Sequence, residues 1–330
     1  MVKSIGLLQS SSFDEISQVI NDSLKLGMDN EEGYDWKRDF EERFKPRFRN
    51  PTTSGWELID DICKGGLGQK ELGVVIAPTG AGKSMALVHL GTQAIKEGKT
   101  VVHYTLELQD TVVASRYDSC LTKIPLQNLT SFKEKIYEEV LEIEGRLIVK
   151  EYPTKTASTQ TIRNHLEKLR MRNIHVDMII IDYGDLLRPV RYQKEKRNEL
   201  ESIYEELRGM ATEYQVPVWT ASQTNRSGLN AEVITMESIS EAFNKCFVAD
   251  FIFSISRTIE DKVANSGRLF VAKNRNGPDG LVFPLFMDTA NVCIKVLEPS
   301  EEDEVVEVSV KKQKARLVDT YQKFKKNNGG

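Results

Sequence analysis

The most informative segment of the chain reads Leu72-Gly73-Val74-Val75-Ile76-Ala77-Pro78-Thr79-Gly80-Ala81-Gly82-Lys83-Ser84. Its apolar first half has the length of one buried strand, and its second half is a glycine-rich turn. The pattern of apolar residues from Met85 to Leu90 then predicts a helix. A strand, a turn that contains Gly-Ala-Gly-Lys-Ser and a helix, in this order, are typical of a phosphate-binding loop.

In such a loop the backbone N–H groups point into one concavity where a phosphate binds, and glycines allow the backbone to approach the anion. Lys83 would supply positive charge to the β- and γ-phosphates, and the Ser84 hydroxyl would complete the coordination of Mg²⁺. Ala77 stands where the pattern usually has a glycine, and we expect an ordinary backbone conformation there. The residues expected to bind the nucleotide are Pro78, Thr79, Gly80, Ala81, Gly82, Lys83 and Ser84.

Composition indicates an ordinary soluble protein. The chain has 330 residues, of which 40% are hydrophobic and 28% are charged, enough for one large α/β domain with extensions. A net charge of −4 excludes a uniformly basic nucleic-acid coat, although a ring could enclose a basic channel. The four cysteines lack metal-type spacing. Because no signal pattern or membrane-length apolar run occurs, we expect a cytoplasmic protein without a membrane segment.

Charge and pattern divide the chain into three parts. Residues 1–50 are predicted to form an arm, with a short amphipathic helix from Phe13 to Leu24; a disordered leader is the alternative. Residues 51–297 carry the strand and helix patterns of one domain. Residues 298–330 are predicted to form a charged tail, acidic first and then basic.

Two acidic residues end predicted strands of this domain. Glu107 follows the buried run Thr100 to Thr105, and Asp182 closes the run Asp177 to Ile181. The carboxyl ends of parallel strands meet at the crevice where ligands bind in open α/β sheets. We therefore expect Glu107 to act as the general base on the attacking water, and the alternative is a solvated acidic side chain in a loop. We expect Asp182 to order Mg²⁺ beside Ser84.

Polar residues follow three further predicted elements. Gln223 ends the strand that begins at Val216 and would sense the γ-phosphate through its amide. The segment Arg188 to Arg197 is interpreted as a basic loop. A turn that projects outward is predicted between strands at Gly267–Ala272 and Gly280–Phe286, and it carries Lys273 and Arg275. Such an arginine could reach the γ-phosphate of a neighbouring copy, and the alternative is an exposed basic turn.

Five elements in one order resemble the RecA-like ATPase domain of DnaB-type replicative helicases, over about Thr53 to Val296. They are Ala77 to Ser84, Thr105-Leu106-Glu107-Leu108, Ile180-Ile181-Asp182-Tyr183, Ser222-Gln223-Thr224-Asn225-Arg226 and Lys273-Asn274-Arg275-Asn276-Gly277-Pro278. The resemblance implies a largely parallel sheet flanked by helices with a C-terminal β-hairpin. It also implies ATP and Mg²⁺ between neighbouring copies of a ring, usually of six subunits, and 5′ to 3′ translocation on single-stranded DNA in the central channel.

Further roles come from the resemblance alone. It implies that Arg116 contacts the nucleotide and that Lys273 and Arg275 act on the next subunit. It also implies that Gln223 couples nucleotide binding to DNA. A primase or a helicase loader is an implied partner. Because only about 50 residues precede the core, the resemblance suggests a short phage- or plasmid-type member. The DNA contacts that it implies are Ser240, Glu241, Phe243, Asn244 and Lys245, and the basic loop adds Arg188, Arg191 and Lys194 as expected contacts.

Several functions remain compatible with these residues. The first hypothesis is a ring-shaped helicase motor. The second is a RecA-like ATPase that assembles on DNA for recombination, repair or loading without unwinding it. A third is a nucleotide-gated assembly protein of the KaiC-like kind, in which hydrolysis times disassembly. A small-molecule kinase fits least, since Arg275 acting on a neighbour would have no purpose in a monomer.

Overall fold

A computed structural model describes residues 33–41, 44, 49–224 and 246–299. The predicted helix from Phe13 to Leu24, residues 225–245 and the predicted tail from residue 300 lie outside the described residues.

Helices and parallel strands alternate through most of the described chain. The helices are α1 (Glu57–Ile62), α2 (Lys83–Lys96), α3 (Asp110–Thr122), α4 (Lys133–Leu141), α5 (Thr159–Met171), α6 (Lys196–Tyr214) and α7 (Ile259–Val263). The strands are β1 (Leu72–Ala77), β2 (Thr100–Thr105), β3 (Arg146–Glu151), β4 (Met178–Asp182), β5 (Val218–Gln223), β6 (Phe251–Ser256), β7 (Ser266–Asn274), β8 (Val282–Asp288) and β9 (Cys293–Val296). Short 3₁₀ turns occur at Leu126–Phe132 and Gly184–Leu186.

One nine-stranded sheet organises the fold, in the order β3-β2-β4-β5-β1-β6-β7-β8-β9. The first six strands pair in parallel, and the last three continue the sheet in antiparallel pairs. The predicted α/β class, with a largely parallel sheet and a C-terminal hairpin, is confirmed. Strand β1 lies between β5 and β6, so the loop after β1 emerges between the tips of two neighbours.

Both faces of the sheet are covered because the parallel strands are apolar on both sides. All six residues of β1 are buried. Val75 and Ala77 belong to the apolar cluster that includes α2, whereas Val74 and Ile76 belong to the cluster on the opposite face, which includes α6. The turn between β1 and α2 is thereby anchored to a fully buried strand.

Three sequence predictions differ from the structure in extent. Helix α6 begins at Lys196, inside the segment interpreted as a basic loop, and β9 extends the predicted hairpin by one strand. The predicted turn from Lys273 to Gly280 starts inside β7, because Lys273 and Asn274 still pair with β6. A turn pattern read from sequence cannot include such pairing, which depends on a strand elsewhere in the chain.

A matched pair of glycine variants tests the packing of β1. A Cβ on Gly73 would lie 2.4 Å from the Trp219 ring, whereas one on Gly209, on α6, would meet nothing within 4 Å. We expect Gly73→Ala to lower the free energy of unfolding by about 1–3 kcal/mol through overpacking. Gly209→Ala should raise it by roughly 0.5–1 kcal/mol, because alanine favours a helix. Urea denaturation of both variants measures this, and equal effects would contradict the packing argument.

Candidate nucleotide-binding site

The turn between β1 and α2 has the backbone geometry of a phosphate cradle. Gly80 and Gly82 adopt φ values of 72° and 107°, in the left-handed region that favours glycine. Gly82 is also the N-cap of α2, whose first turn contains no acidic side chain. Ala77 lies in regular strand conformation as the last residue of β1, as expected. The N–H groups of the helix start are therefore directed at the turn, where an anion is favoured.

Lys83 lies among three acidic side chains. Burial lowers the pKa of Lys83, while Asp182, Glu107 and Asp185 act electrostatically in the opposite direction. Its Nζ also lies 5.5 Å from the centroid of the Tyr183 ring. The tips of β2 and β4 are thus brought to the start of α2, as the sequence predicted for Glu107 and Asp182.

Asp182 is buried beside the end of this turn. The Ser84 hydroxyl acts to lower the pKa of its carboxyl, but burial outweighs this effect and raises that pKa above the ordinary value. Within the described residues, Asp182 Oδ1 is buried and has no hydrogen-bond partner. A buried carboxylate oxygen beside a hydroxyl is a ligand pair suited to Mg²⁺, which prefers oxygen ligands.

The residues present leave most of such a metal's coordination to other ligands. In the described part of the chain, no group of three or more His, Cys, Asp or Glu side chains could hold a metal ion. Mg²⁺ commonly keeps several waters and binds one or two protein groups plus substrate phosphates. Ser84 and Asp182 fit this pattern.

Glu107 and Arg116 approach the same place from two elements. Glu107 is exposed in the loop after β2, and Thr105 Oγ1 fixes that loop by accepting from the Leu108 N–H at 3.2 Å. Arg116 is half-buried on α3. Both act electrostatically on Asp182. The structure therefore brings these two predicted residues to the phosphate turn, with the Glu107 carboxylate accessible to solvent.

Gln223 connects the tip of β5 directly to the turn. Its Nε2 donates to Thr79 Oγ1 at 2.6 Å, and Tyr183 donates its hydroxyl to Gln223 Oε1 at 3.2 Å. The Gln223 backbone N–H donates to Asp185 Oδ2 at 3.2 Å. No sequence pattern predicted a role for Tyr183 or Asp185. Their closeness in sequence to Asp182, at the same strand tip, is the signal that could have identified them.

Arg275 lies at the opposite edge of the sheet. Its NH1 pairs with Asp250 Oδ1 at 2.8 Å, and Asp250 Oδ2 accepts the Leu72 N–H at 2.9 Å, which places it at the start of β1. The six residues of β1 span about 20 Å at roughly 3.3 Å per residue. Since this distance exceeds the reach of an arginine side chain, Arg275 is too far away to act on the phosphate turn of its own copy.

The finger loop, Lys273–Pro278, departs from the predicted outward projection. Asn274 Nδ2 donates to Ile62 O at 2.8 Å, and Lys273 Nζ donates to Phe247 O at 2.5 Å. The exposed members of the loop are Arg275, Gly277 and Pro278. The loop pattern predicted the turn itself, but the contacts that hold the loop against the domain come from residues distant in sequence.

The predicted DNA contacts are only partly described. Arg191 and Lys194 are exposed in the loop before α6, while Arg188 is half-buried and donates its backbone N–H to Ala157 O at 2.8 Å. Residues 240–245, with the remaining predicted contacts, lie outside the described residues. Among the helices that the structure describes, none combines the length and apolar character required to cross a bilayer.

Neutralising Asp182 should stabilise the folded chain and abolish ATP turnover. Asp182→Asn keeps the shape of the side chain but removes a buried charge, so we expect the free energy of unfolding at pH 7–8 to rise by about 1 kcal/mol. This gain should shrink as the pH falls toward 4, because the wild-type carboxyl then takes up its proton. ATP turnover should be lost. Chemical denaturation across this pH range is the measurement, and a variant less stable than wild type at pH 8 would contradict the expectation.

One protein family and several individual proteins match most of the chain. The family described as "DnaB-like helicase C terminal domain" matches residues 52–292. The DnaB-like replicative helicase of Enterobacteria phage T4 is 28% identical over 276 residues, covering 79% of this chain and 58% of that protein. Replicative DNA helicase DnaB of Mycoplasma genitalium is 26% identical over 274 residues, covering 76% and 58%. The chain thus spans little more than half the length of these curated relatives.

Two solved structures share the fold. One, described as an ATPase domain, has a TM-score of 0.67 and 18% identity, and the match covers 81% of this chain and all of that one. The other, a DnaB-like replicative helicase studied with its interactions with primase, has the same TM-score and identity and covers 90% of this chain and 76% of that one. The RecA-like ATPase fold expected from sequence is confirmed. Given the match over residues 52–292, the chain belongs to the DnaB-like helicase family.

Proposed function

We propose that this chain is an ATP-dependent DNA helicase motor, which assembles as a ring, translocates on single-stranded DNA and separates duplex DNA during replication. One observation carries the proposal: the phosphate turn with Lys83, Asp182 and Gln223 lies at one edge of the sheet, whereas Arg275 lies at the other. A site that needs all four residues is completed only by a second copy.

Within one copy, the residues at the carboxyl edge bind and orient the triphosphate. Lys83 and the N–H groups at the start of α2 hold the phosphates, and Ser84 and Asp182 hold Mg²⁺, which neutralises charge on the phosphate oxygens when bound. Glu107 orients the attacking water and accepts its proton, a role supported by its exposed carboxylate beside Asp182. Arg116 contributes positive charge near the phosphates.

The second copy supplies Arg275, with Lys273 beside it. More than half of the Arg275 side chain, 56%, is exposed, which leaves it accessible to an anion on another copy. A guanidinium at the γ-phosphate stabilises the charge that develops as the phosphoryl group is transferred. Hydrolysis then depends on assembly, with the hexamer as the expected ring.

DNA contact is assigned to two segments. Arg191 and Lys194 present exposed positive charge, and Arg188 precedes them on the same loop. Residues Ser240, Glu241, Phe243, Asn244 and Lys245 complete the proposed DNA set. Gln223 donates a hydrogen bond to Thr79 in the phosphate turn, so a change at the γ-phosphate would reach the tip of β5.

The proposal also covers partner proteins, domain boundaries and location in the cell. One solved neighbour is a DnaB-like helicase studied with primase, which supports a primase or a helicase loader as a partner here. We assign residues 51–297 to the ATPase domain, 1–50 to an N-terminal arm and 298–330 to a charged tail. The location that we propose is the cytoplasm, which would be the host cytoplasm for a viral protein.

Glu241 in the proposed DNA loop favours a second candidate function. A carboxylate weakens contact with a phosphate backbone, so a RecA-like ATPase that assembles on DNA for recombination, repair or loading, without unwinding, is the alternative.

An unwinding assay distinguishes these two candidates. The full chain is incubated with ATP, Mg²⁺ and a forked duplex with a 5′ tail, and strand separation is followed by fluorescence. We expect unwinding by wild type and none by Glu107→Gln, which should bind ATP and assemble but hydrolyse at least ~10²-fold more slowly. DNA-stimulated hydrolysis without strand separation would favour the alternative, and full turnover by Glu107→Gln would remove this residue from the mechanism.

Mixed assemblies test whether Arg275 acts on a neighbour. Arg275→Ala should lower turnover by roughly 10³-fold with ATP binding intact, and Lys83→Ala should abolish binding. Because one variant keeps its phosphate turn and the other keeps its finger loop, mixing them should restore part of the turnover. No recovery at any ratio would contradict action between copies.

A further inference from the structure

The finger loop rests on two carboxylates from distant parts of the chain, Asp250 and Glu71. Each carboxylate is paired with an arginine outside the loop, and each also binds one side chain of the loop. Nothing in the sequence pattern of the phosphate site requires these two acids. Because both carboxylates are fixed by an arginine and bind a side chain of the loop, together they hold the loop that carries Arg275 in place.

Asp250 holds Arg275 by both its backbone and its side chain. Its carbonyl accepts the Arg275 N–H at 2.9 Å, and its Oδ1 lies 2.8 Å from Arg275 NH1. The second oxygen lies 2.7 Å from Arg208 Nε of α6 and accepts the Leu72 N–H of β1. With only 2% of its side chain exposed, the carboxylate is fixed by the core and can define the direction of the guanidinium.

Glu71 holds the loop through Asn276, whose Nδ2 donates to Glu71 Oε1 at 3.1 Å. Arg49 binds the same carboxylate with two donors, at 2.7 and 2.5 Å. Burial acts to raise the pKa of Glu71, but the hydrogen bonds from Arg49, the Gly68 N–H and Asn276 outweigh it and hold this pKa below its ordinary value. Glu71 is therefore ionised at neutral pH and is a strong acceptor for Asn276.

The backbone of the loop also lies directly on α1. A Cβ on Gly277 would come within 2.1 Å of Ile62 O, and the same carbonyl accepts from Asn274 Nδ2. Arg49 donates in addition to Cys63 O and Gly66 O, just after α1. Arg49, Glu71 and the end of α1 thus form one continuous surface under the loop.

The geometry points to Asp250 and Glu71 as positioning residues for Arg275: Asp250 holds the guanidinium, and Glu71 holds the loop through Asn276. This inference rests on the proposed function, because the loop is positioned for the triphosphate of a neighbouring copy. A group that stabilises a transition state must be held to within a fraction of an ångström, so a loosened loop would cost rate without weakening ATP binding.

Two variants of the full chain test the inference, with matched controls elsewhere on the surface. Asn276→Ala removes the hydrogen bond to Glu71, and Glu71→Gln weakens the same bond together with those from Arg49 and the Gly68 N–H. Asn128→Ala and Glu138→Gln make the same substitutions at exposed positions. We expect DNA-stimulated ATP turnover to fall roughly 10- to 100-fold in the first pair, with the dissociation constant of a fluorescent ATP analogue unchanged. The controls should retain wild-type turnover. Turnover within twofold of wild type for both loop variants would overturn the inference.

Subunit mixing separates a positioning role from a general loss of structure. Asn276→Ala copies should regain turnover with Lys83→Ala copies, which supply an intact finger loop, and should not regain it with Arg275→Ala copies. The reverse pattern would place the defect in the variant's own phosphate site and overturn the inference, and so would recovery with neither partner.

The turnover of Arg275→Ala shows whether the positioning role fails alone or the proposed action of Arg275 between copies fails as well. If Arg275→Ala loses turnover while Asn276→Ala and Glu71→Gln do not, only the positioning role fails. If Arg275→Ala itself retains full turnover, the proposed action between copies fails, and the positioning role fails with it.

Discussion

Parallel pairing of β1 with β5 and β6 is the constraint on which the rest of the molecule depends. Because parallel strands all end at one edge, this pairing places Gln223 at the end of β5 within hydrogen-bond distance of Thr79 in the turn after β1. Strand β1 is buried on both faces, so the turn is anchored to a fully buried strand. A phosphate cradle needs this anchoring, since its N–H groups must keep their directions when an anion binds.

The buried charges of the phosphate site lower the stability of the folded chain when no ligand is bound. Asp182 is buried, and one of its carboxylate oxygens lacks a hydrogen-bond partner within the described chain. Burial raises the pKa of Asp182 and lowers the pKa of Lys83, so it favours the neutral form of each side chain. Charges held out of water in this way are stabilised when phosphates and a cation complete the set. The site thus gives up stability in the free protein, and nucleotide binding is expected to recover it.

The antiparallel end of the sheet has a different consequence. Because β7 runs opposite to β6, it returns the chain to the edge where the parallel strands begin, and the finger loop follows there. Asp250, at the start of β6, binds both Leu72 and Arg275 and so ties that edge together. A single copy therefore carries a phosphate turn and an arginine that face opposite ways, an arrangement suited to sites completed between copies.

The sequence by itself determined the fold class, the order of nearly all strands and helices, and the phosphate turn, because these depend on local apolar periodicity and on glycine, lysine and serine at fixed spacing. It also predicted that Glu107, Asp182 and Gln223 lie close to the phosphate turn, since each follows or ends a strand. Tertiary structure alone revealed β9, the contacts of Tyr183 and Asp185, and those of the finger loop with Glu71 and Asp250. Glu71 and Asn276 are 205 positions apart, and no local pattern records which distant carboxylate a side chain will meet once the sheet has formed.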